Sequence, residues 1–315
     1  MQVTQLDNPE EWTAFLSTAA NSTLFHELQF LDYHAPGRFN FHHLVIKSDG
    51  RIVAVLPGAL RKDGVLVSTS GASVGGLVVA PDALVHDVVA AVMAVQDYVS
   101  VNGWKGIEVT LPPILYAPNL GNVVDVALFH TGFKLQHRWY CHALPLDKPW
   151  EQTFDDRQRQ FVRTARNKGV TTQEGGKELL EMFAMPFRDT YKRHGVPATH
   201  SEAEIVDLMR RFPDRVRIHL AMLDGKTIAA LLVFHVTAVV GYTMYILTSA
   251  GCETLNGARI LIADSVTRLT ERGFHYLDLG PSASDMNFNH GVFAFKERLG
   301  AFGALRDRWI WAVSA

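Results

Sequence analysis

Two Asp-Gly dipeptides constrain this chain more than any other feature. Asp49-Gly50 lies inside "HHLVIKSDGRIVAVLPGALRK" and Asp224-Gly225 inside "VRIHLAMLDGKTIAALLVFHV". An Asp-Gly pair between two β-rich runs is a strong tight-hairpin signal. The same order comes after each hairpin: another strand, a long helix ending near a glycine, a strand with an acid (Glu108 or Asp278), a short helix and a last strand. Matched order over roughly 120 residues, with negligible identity, reads as duplication of one fold. For 315 residues this predicts an α/β protein with mixed sheets and two domains, 1–150 and 151–315, each large enough for its own core.

Bulk properties narrow the function classes. The chain is 48% hydrophobic and 20% charged, with a formal net charge of −2, an ordinary soluble composition. A coat for DNA needs a strong basic excess, so no DNA partner is expected. Cys141 and Cys252 stand far apart with no second cysteine at metal or redox spacing, which fits a reducing compartment. The opening "MQVTQLDNPEEWTAFL" lacks the basic and apolar regions of a signal peptide. The most apolar stretch, "TIAALLVFHVTAVVGYTMYIL", is interrupted by His235 and Gly241 and reads as two strands. The expectation is a cytoplasmic protein with no integral membrane segment. The fourteen histidines form no His-x-x-x-His with a Glu and no Cys/His set, so no metal is expected.

The chemistry-bearing stretch is "NFNHGVFAFKERLGA", residues 287–301. Lys296 comes after Phe293 and Phe295 between Gly291 and Gly300. It reads either as a surface lysine on an amphipathic helix or as a buried cation that must be paired. Upstream, "LNGARILIADSVTRLTERGFHYLDLG" gives a helix and an acid-bearing strand, so the whole ends in Gly-x-x-x-Phe-Lys-x-x-x-Gly. Earlier, "RQRQFVRTARNKGV" is a basic helix running into a glycine, before "FRDTYKRHGVPATH".

These segments, in this order, resemble the FemAB family of peptidoglycan aminoacyltransferases and its relatives. That family is built from two tandem domains of the GNAT (Gcn5-related N-acyltransferase) fold, BioF2-like acetyltransferase domains included. The resemblance is strong over 155–303 and less specific over 1–147. It implies that Phe295 and Lys296 lie at an acyl-transfer site, with Lys296 facing a developing oxyanion or holding a donor phosphate. Phe295 would shape the pocket. Asp278 would orient the amine or relay its proton, or else anchor the loop after its strand. Arg193, in "RDTYKRHG", would bind a phosphate-bearing acceptor through its planar fork, or stand exposed at a helix end. Tyr245, Asn289 and Gly291 complete the substrate-binding set. Tyr242 and Tyr245, three residues apart on one strand, are expected on opposite faces. Arg159, Arg163 and Arg166 form a stripe that is either a solvated face or a phosphate or tRNA contact.

Two departures from the family pattern matter. Acetyl-CoA enzymes of this fold usually carry Arg/Gln-x-x-Gly-x-Gly/Ala before the long helix, where backbone amides grip the pyrophosphate. Here the place holds "SAGCETLNGARI", with Asn256 expected as the helix cap. Residues 177–212 also leave no room for the long helical arm of the staphylococcal-type members. The expected activity is transfer of an acyl or aminoacyl group to a primary amine of a cell-envelope or exopolysaccharide precursor. Its expected partners are a phosphate-bearing small-molecule or lipid-linked acceptor and charged tRNA. The donor is either aminoacyl-tRNA or acyl-CoA, with no tightly bound cofactor. Two alternatives stay open: an acetyl-CoA-dependent N-acetyltransferase on an amino sugar, and a non-catalytic precursor-binding protein. No segment specifies an oligomeric state.

Overall fold

Both Asp-Gly turns close hairpins. Asp49 and Gly50 have φ of +49° and +79°, Asp224 and Gly225 +50° and +74°, the left-handed pair of a type I′ turn. The computed structural model describes residues 1–68, 70–195, 197–285 and 287–313, and the side chains of all of these but His194 and Ser284. The chain divides into two compact units, Met1–Tyr140 with Ala304–Ala315, and Cys141–Gly303.

The first unit starts with β1 (Gln2–Gln5), α1 (Pro9–Thr18), α2 (Leu28–Leu31) and the hairpin β2 (Leu44–Ser48) and β3 (Arg51–Leu56). Then come β4 (Ala59–Leu60), β5 (Val65–Ser68), β6 (Val78–Val79), α3 (Val85–Val101), β7 (Gly106–Thr110), α4 (Val123–His130) and β8 (Lys134–Pro145). Asn8 caps α1, its side chain accepting from the Glu10 and Glu11 amides, with Pro9 where no amide partner is needed. Along α3, Val88, Val92, Val95 and Val99 recur at helical spacing and are buried. They share a core with Leu44 and Ile46 of β2, Leu66 of β5 and Ile107 of β7; each such fully buried side chain is worth about 1.5–3 kcal/mol.

The second unit holds α5 (Trp150–Thr153), α6 (Asp156–Asn167), β9 (Thr171–Gly175), α7 (Leu180–His194), α8 (Glu202–Arg211), and the hairpin β10 (Val216–Leu223) and β11 (Lys226–His235). Next come β12 (Val240–Thr248), α9 (Gly257–Glu271), β13 (Tyr276–Ser284), β14 (Asn287–Phe288) and α10 (His290–Glu297). The last strand, β15 (Phe302–Ala312), pairs with β7 through Arg308↔Thr110 and Ile310↔Glu108 and so returns to the first unit. The division therefore differs from the expected 150/151 boundary. No linker marks it, because the boundary falls between Tyr140 and Cys141 inside the single strand β8.

The spatial strand order in the second unit is β8-β13-β12-β11-β10-β9. Ala229, Leu231 and Val233 of β11 turn one face toward Val162 and Ala165 of α6 and Ile260 and Leu269 of α9. On the other face Phe187 of α7 meets Tyr245 edge-on, and His200 meets Phe234.

Two local departures from regular geometry set up the site. On β12, Thr243 pairs with Val233 and Tyr245 with Leu232, so Met244 is an extra residue, a β-bulge. Tyr242 pairs with Phe234. Because directly paired residues share a face, Tyr242 and Tyr245 lie on the same side of the sheet, not on opposite ones: the bulge resets the alternation. The parallel ladder between β12 and β13 has only three pairs, Val240↔Tyr276, Gly241↔Leu277 and Tyr242↔Asp278. Both strands continue for six more residues, and among the described residues no ladder joins those continuations.

Candidate active site

The fork opens one step beyond Tyr242 and Asp278, and the bulge at Met244 bends β12 at the same point. Thr243 Oγ1 donates to the Asp278 carbonyl at 3.2 Å, which ties the crotch of the fork. Gly280, two residues further on, has φ +74°, a conformation that costs an L-residue about 1 kcal/mol or more. A β-carbon there would stand 3.5 Å from the Tyr242 ring. Asp278, 2% exposed, fixes this kink: its Oδ1 accepts the Gly280 amide at 2.7 Å. Loop anchoring, one of the two roles read from the sequence, is thus one thing Asp278 does.

The kinked backbone receives Lys296. The side chain is 4% exposed, and its Nζ donates to the Gly280 carbonyl at 2.8 Å and the Pro281 carbonyl at 3.0 Å. Burying an ammonium is costly unless it is hydrogen-bonded, and bonds involving a charged group contribute about 1.5–3 kcal/mol each. Two carbonyls therefore hold a positive charge where β13 leaves β12. Asp278, Gly280 and Lys296 act as one relay: carboxylate to amide, carbonyl to ammonium.

α10 delivers the lysine. Asn289 caps it by accepting the Val292 amide at 3.1 Å, and Gly291 lies exposed in its first turn. Phe295 is half-buried against the α6–α9 core, with the Arg259 guanidinium 5.4 Å from its ring centre. The structure thus brings Lys296 and Asp278 to one strand end, sets Phe295 against the core beside Arg259, and gives Asn289 the job of starting the helix.

Arg193 and Tyr245 belong to the α7 side. Arg193, near the C-terminus of α7, pairs with Glu253 at 2.7 Å, both partly exposed. The Tyr245 hydroxyl lies 2.6 Å from His200 Nδ1 and accepts the His200 amide at 3.1 Å. Burial raises the neighbouring Tyr191 phenol, and a hydrogen bond with Tyr245 partly offsets it. In the basic stripe, Arg159 pairs with Asp156 and donates to the Phe154 carbonyl at 2.7 Å, while Arg166 stacks on Trp150.

Sequence reasoning did not select His142, Ser282, His200 or Arg259. His142 Nδ1 lies 2.7 Å from Ser282 Oγ on β13, and its ring meets Phe293 of α10 edge-on. Burial, and secondarily the Lys296 charge, hold His142 down to about 4, so it is neutral at neutral pH. Nothing in "YCHALPL" separates this histidine from a core residue, and only tertiary contact puts it beside α10. Asn256 also departs from expectation. It sits at the N-cap of α9 in a left-handed conformation, φ +61°, and its side chain makes no capping bond to the helix amides. Its Oδ1 instead accepts from Arg259 at 3.3 Å.

Comparison with known proteins agrees with this geometry. Residues 155–297 match the family described as Acetyltransferase (GNAT) domain. No curated protein sequence matches the chain. A crystal structure of FemX superimposes over 99% of this chain and 98% of its own, with TM-score 0.76 at 13% identity. The structure of L-PGS from Bacillus licheniformis matches over 99% and 93%, TM-score 0.61 at 13% identity. A tandem GNAT protein from the clavulanic acid biosynthesis pathway matches over 100% and 99%, TM-score 0.56 at 14% identity. Residues 155–297 thus carry an acetyltransferase (GNAT) domain with a strand fork at its centre, and the whole chain shares the fold of FemX and of a tandem GNAT protein.

Proposed function

We propose that the protein transfers an acyl or aminoacyl group from an activated donor to a primary amine, with the donor's carbonyl lying in the fork between β12 and β13. The observation that carries this reading is the Lys296 ammonium, buried and fixed by the Gly280 and Pro281 carbonyls where the strands part. A cation held in place before the reaction stabilises charge that develops on the carbonyl oxygen, without reorganisation at the moment of attack.

In this mechanism the amine nitrogen attacks the carbonyl carbon and the oxygen becomes an oxyanion facing Lys296. Collapse re-forms the carbonyl and expels the thiolate of a CoA donor or the ribose oxygen of a tRNA donor, which takes a proton from solvent as it leaves and becomes the hydroxyl. The proton shed by the amine passes to Asp278 or to solvent. No covalent enzyme intermediate is needed, and the buried Cys141 and half-buried Cys252 stay outside the chemistry. Phe295 packs beside the reacting carbonyl. Arg193 is assigned to an anionic acceptor, which would displace Glu253 from its guanidinium, and the first unit to acceptor binding. The acceptor class is an amine-bearing, phosphate-bearing precursor of a cell-envelope or exopolysaccharide polymer, small or lipid-linked. No helix among the described residues is long and apolar enough to cross a membrane.

The absence of the usual pyrophosphate loop supports aminoacyl-tRNA as donor, and the match to an acetyltransferase domain supports acyl-CoA. Amine-dependent release of free thiol from acyl-CoA, or of deacylated tRNA from aminoacyl-tRNA, decides between them. Release from either donor upholds acyl transfer. Release from neither, with acceptor binding intact, leaves a precursor-binding protein.

A further inference from the structure

Past Tyr242 and Asp278, β13 has lost β12 as a ladder partner among the described residues, and its other neighbour in the sheet is β8. Pro281, on this forked leg, has no amide to give to any ladder. A strand with one paired edge opens more easily than one with two, yet this leg carries the two carbonyls that hold Lys296. The residue after Pro281 supplies a substitute for the lost pairing. Ser282 is 6% exposed and His142 of β8 is fully buried, and Ser282 Oγ lies 2.7 Å from His142 Nδ1. A buried imidazole and a buried hydroxyl each cost stability unless hydrogen-bonded, and here each partners the other.

That bond closes a circuit. The Ser282 carbonyl accepts the Asn289 amide at 3.3 Å, and Asn289 caps α10 through the Val292 amide. α10 then turns two side chains back on the same place. The Phe293 ring meets the His142 ring edge-on, centres 4.8 Å apart. Lys296, one turn later on the same face, reaches the Gly280 and Pro281 carbonyls. His142 therefore touches both the leg that binds the ammonium and the helix that delivers it. Burial keeps its imidazole neutral, so the anchor adds no second cation beside Lys296. A leucine would fill much of the same space but tie nothing to Ser282.

We propose that His142 and Ser282 are positioning residues: their hydrogen bond sets where the Gly280 and Pro281 carbonyls stand, and so fixes the Lys296 ammonium at the fork. That the held cation serves acyl transfer rests on the function proposed above, whereas the holding itself does not. In this account neither residue touches the reacting atoms. Their effect reaches the reaction through the place of the ammonium, where a displacement of about 1 Å costs up to about a hundredfold in rate.

The test reads Lys296 twice, by the NMR signal of its ammonium protons in full-length protein carrying isotope-labelled lysine, and by steady-state kinetics. An ammonium buried against two carbonyls exchanges its protons slowly enough to give such a signal, and Lys296→Met, which lacks it, assigns it. His142→Leu and Ser282→Ala are each expected to shift this signal or broaden it beyond detection. Each should also lower kcat about tenfold or more and leave both KM values within about threefold. The double variant should lose no more than either alone, because both changes break one bond. His142→Asn, whose amide stands about where Nδ1 does, should restore the signal and bring kcat within about threefold of the unaltered protein. His219→Gln, at a second buried histidine of this unit, should change neither reading, which separates positioning from a general loss of stability. An unchanged ammonium signal in either folded variant, His142→Leu or Ser282→Ala, overturns the proposal, and so does a folded His142→Asn as damaged as His142→Leu. If His142→Leu does not fold, Ser282→Ala decides alone: a changed signal supports the positioning and an unchanged one overturns it. The signal needs no turnover, so a protein in which it responds but which transfers from no donor sinks the acyl-transfer reading and keeps the positioning.

Discussion

The two units make their forks differently. In the second, β12 runs beside β13 for three pairs, then parts from it over a buried ammonium. In the first, the strand in the corresponding place, β6, is two residues long and pairs only with β3 among the described residues. The parallel partner of β7 is β5, over four pairs. The gap is sewn shut: the Gly75 amide donates to the Thr110 carbonyl at 2.8 Å, and the Gly76 amide to Ser68 Oγ at 2.9 Å. Two small cavities are found in this unit: one of about 20 Å³ walled by Leu56, Leu77, Val92, Ile107, Val109, Phe133 and like side chains, a space that stays dry, and one of about 10 Å³ beside Ser68 and Gly75. The acids differ in the same way. Glu108 sits within the β7 ladder and is neutralised by Arg61 at 3.0 Å and Arg308 at 3.4 Å. Asp278 sits at the last pair before the opening and sets the kink that presents a carbonyl to Lys296. One fold order thus gives one half with hydrogen bonds across the corresponding place and one half whose strands part over a buried cation, and the difference lies in the chain just past the acid-bearing strand.

The comparison breaks most sharply at the two charged groups. Lys296→Met should lower kcat by about 10²–10³, the effect of removing an oxyanion donor, with the acceptor KM changed only a few-fold. Glu108→Gln should leave kcat unchanged and cost about 1–2 kcal/mol of stability. Steady-state kinetics and urea denaturation check both. Equal kcat losses in the two variants would erase the distinction between the halves.

The kink is next. Gly280→Ala forces a side chain into a left-handed conformation against Tyr242, at about 1 kcal/mol or more, and should reduce kcat about tenfold by moving the carbonyl that holds Lys296. Gly75→Ala would put its β-carbon 2.1 Å from the Ser68 carbonyl oxygen. It should destabilise by about 1–3 kcal/mol while residual folded protein keeps its kcat. Thermal melts and active-site-normalised rates separate the two.

Stability against pH tests the buried histidines of both halves. Burial holds His26 and His43 in the first unit, and His142, His219 and His235 in the second, at about 4. In an unfolded chain histidine titrates near 6.5. Below that pH the unfolded state takes up protons the folded state refuses. Stability is therefore fully present above about pH 6.5 and falls as the pH drops toward 4. Glu174, whose burial is outweighed by Arg272 and other neighbours, is held at about 2, so its contribution is lost only below about pH 4.5. His219→Gln should flatten the upper part of this decline. A melting temperature that stays level from pH 6.5 to 4.5 would contradict it.

The smallest effect is expected at Arg193. Its pair with Glu253 is partly exposed, so Arg193→Ala should cost no more than about 1 kcal/mol. The acceptor KM should rise a few-fold with kcat held. No change in KM removes Arg193 from the acceptor site.

Much of this was legible in the sequence where local chemistry decides structure. The Asp-Gly turns set both hairpins, valine spacing set α3, and the Phe-x-Phe-Lys run between glycines marked the lysine the structure buries. What escaped depends on contacts distant along the chain. "VGYTMYILTS" alternates as any strand does, and only pairing with β11 makes Met244 a bulge that places Tyr242 and Tyr245 on one face. β8 carries no break at its middle, so the boundary at Tyr140 left no compositional trace. Asn256 has a capping residue's chemistry, but its left-handed backbone turns its side chain to Arg259, which no local pattern distinguishes from an ordinary surface arginine.

The most direct measurement is a crystal structure of the protein with a non-reactive acyl-donor analogue. The account predicts the carbonyl oxygen between the parted ends of β12 and β13, within about 3.2 Å of Lys296 Nζ. An analogue seated in the first unit, or one whose carbonyl lies away from Lys296 in the second, contradicts it.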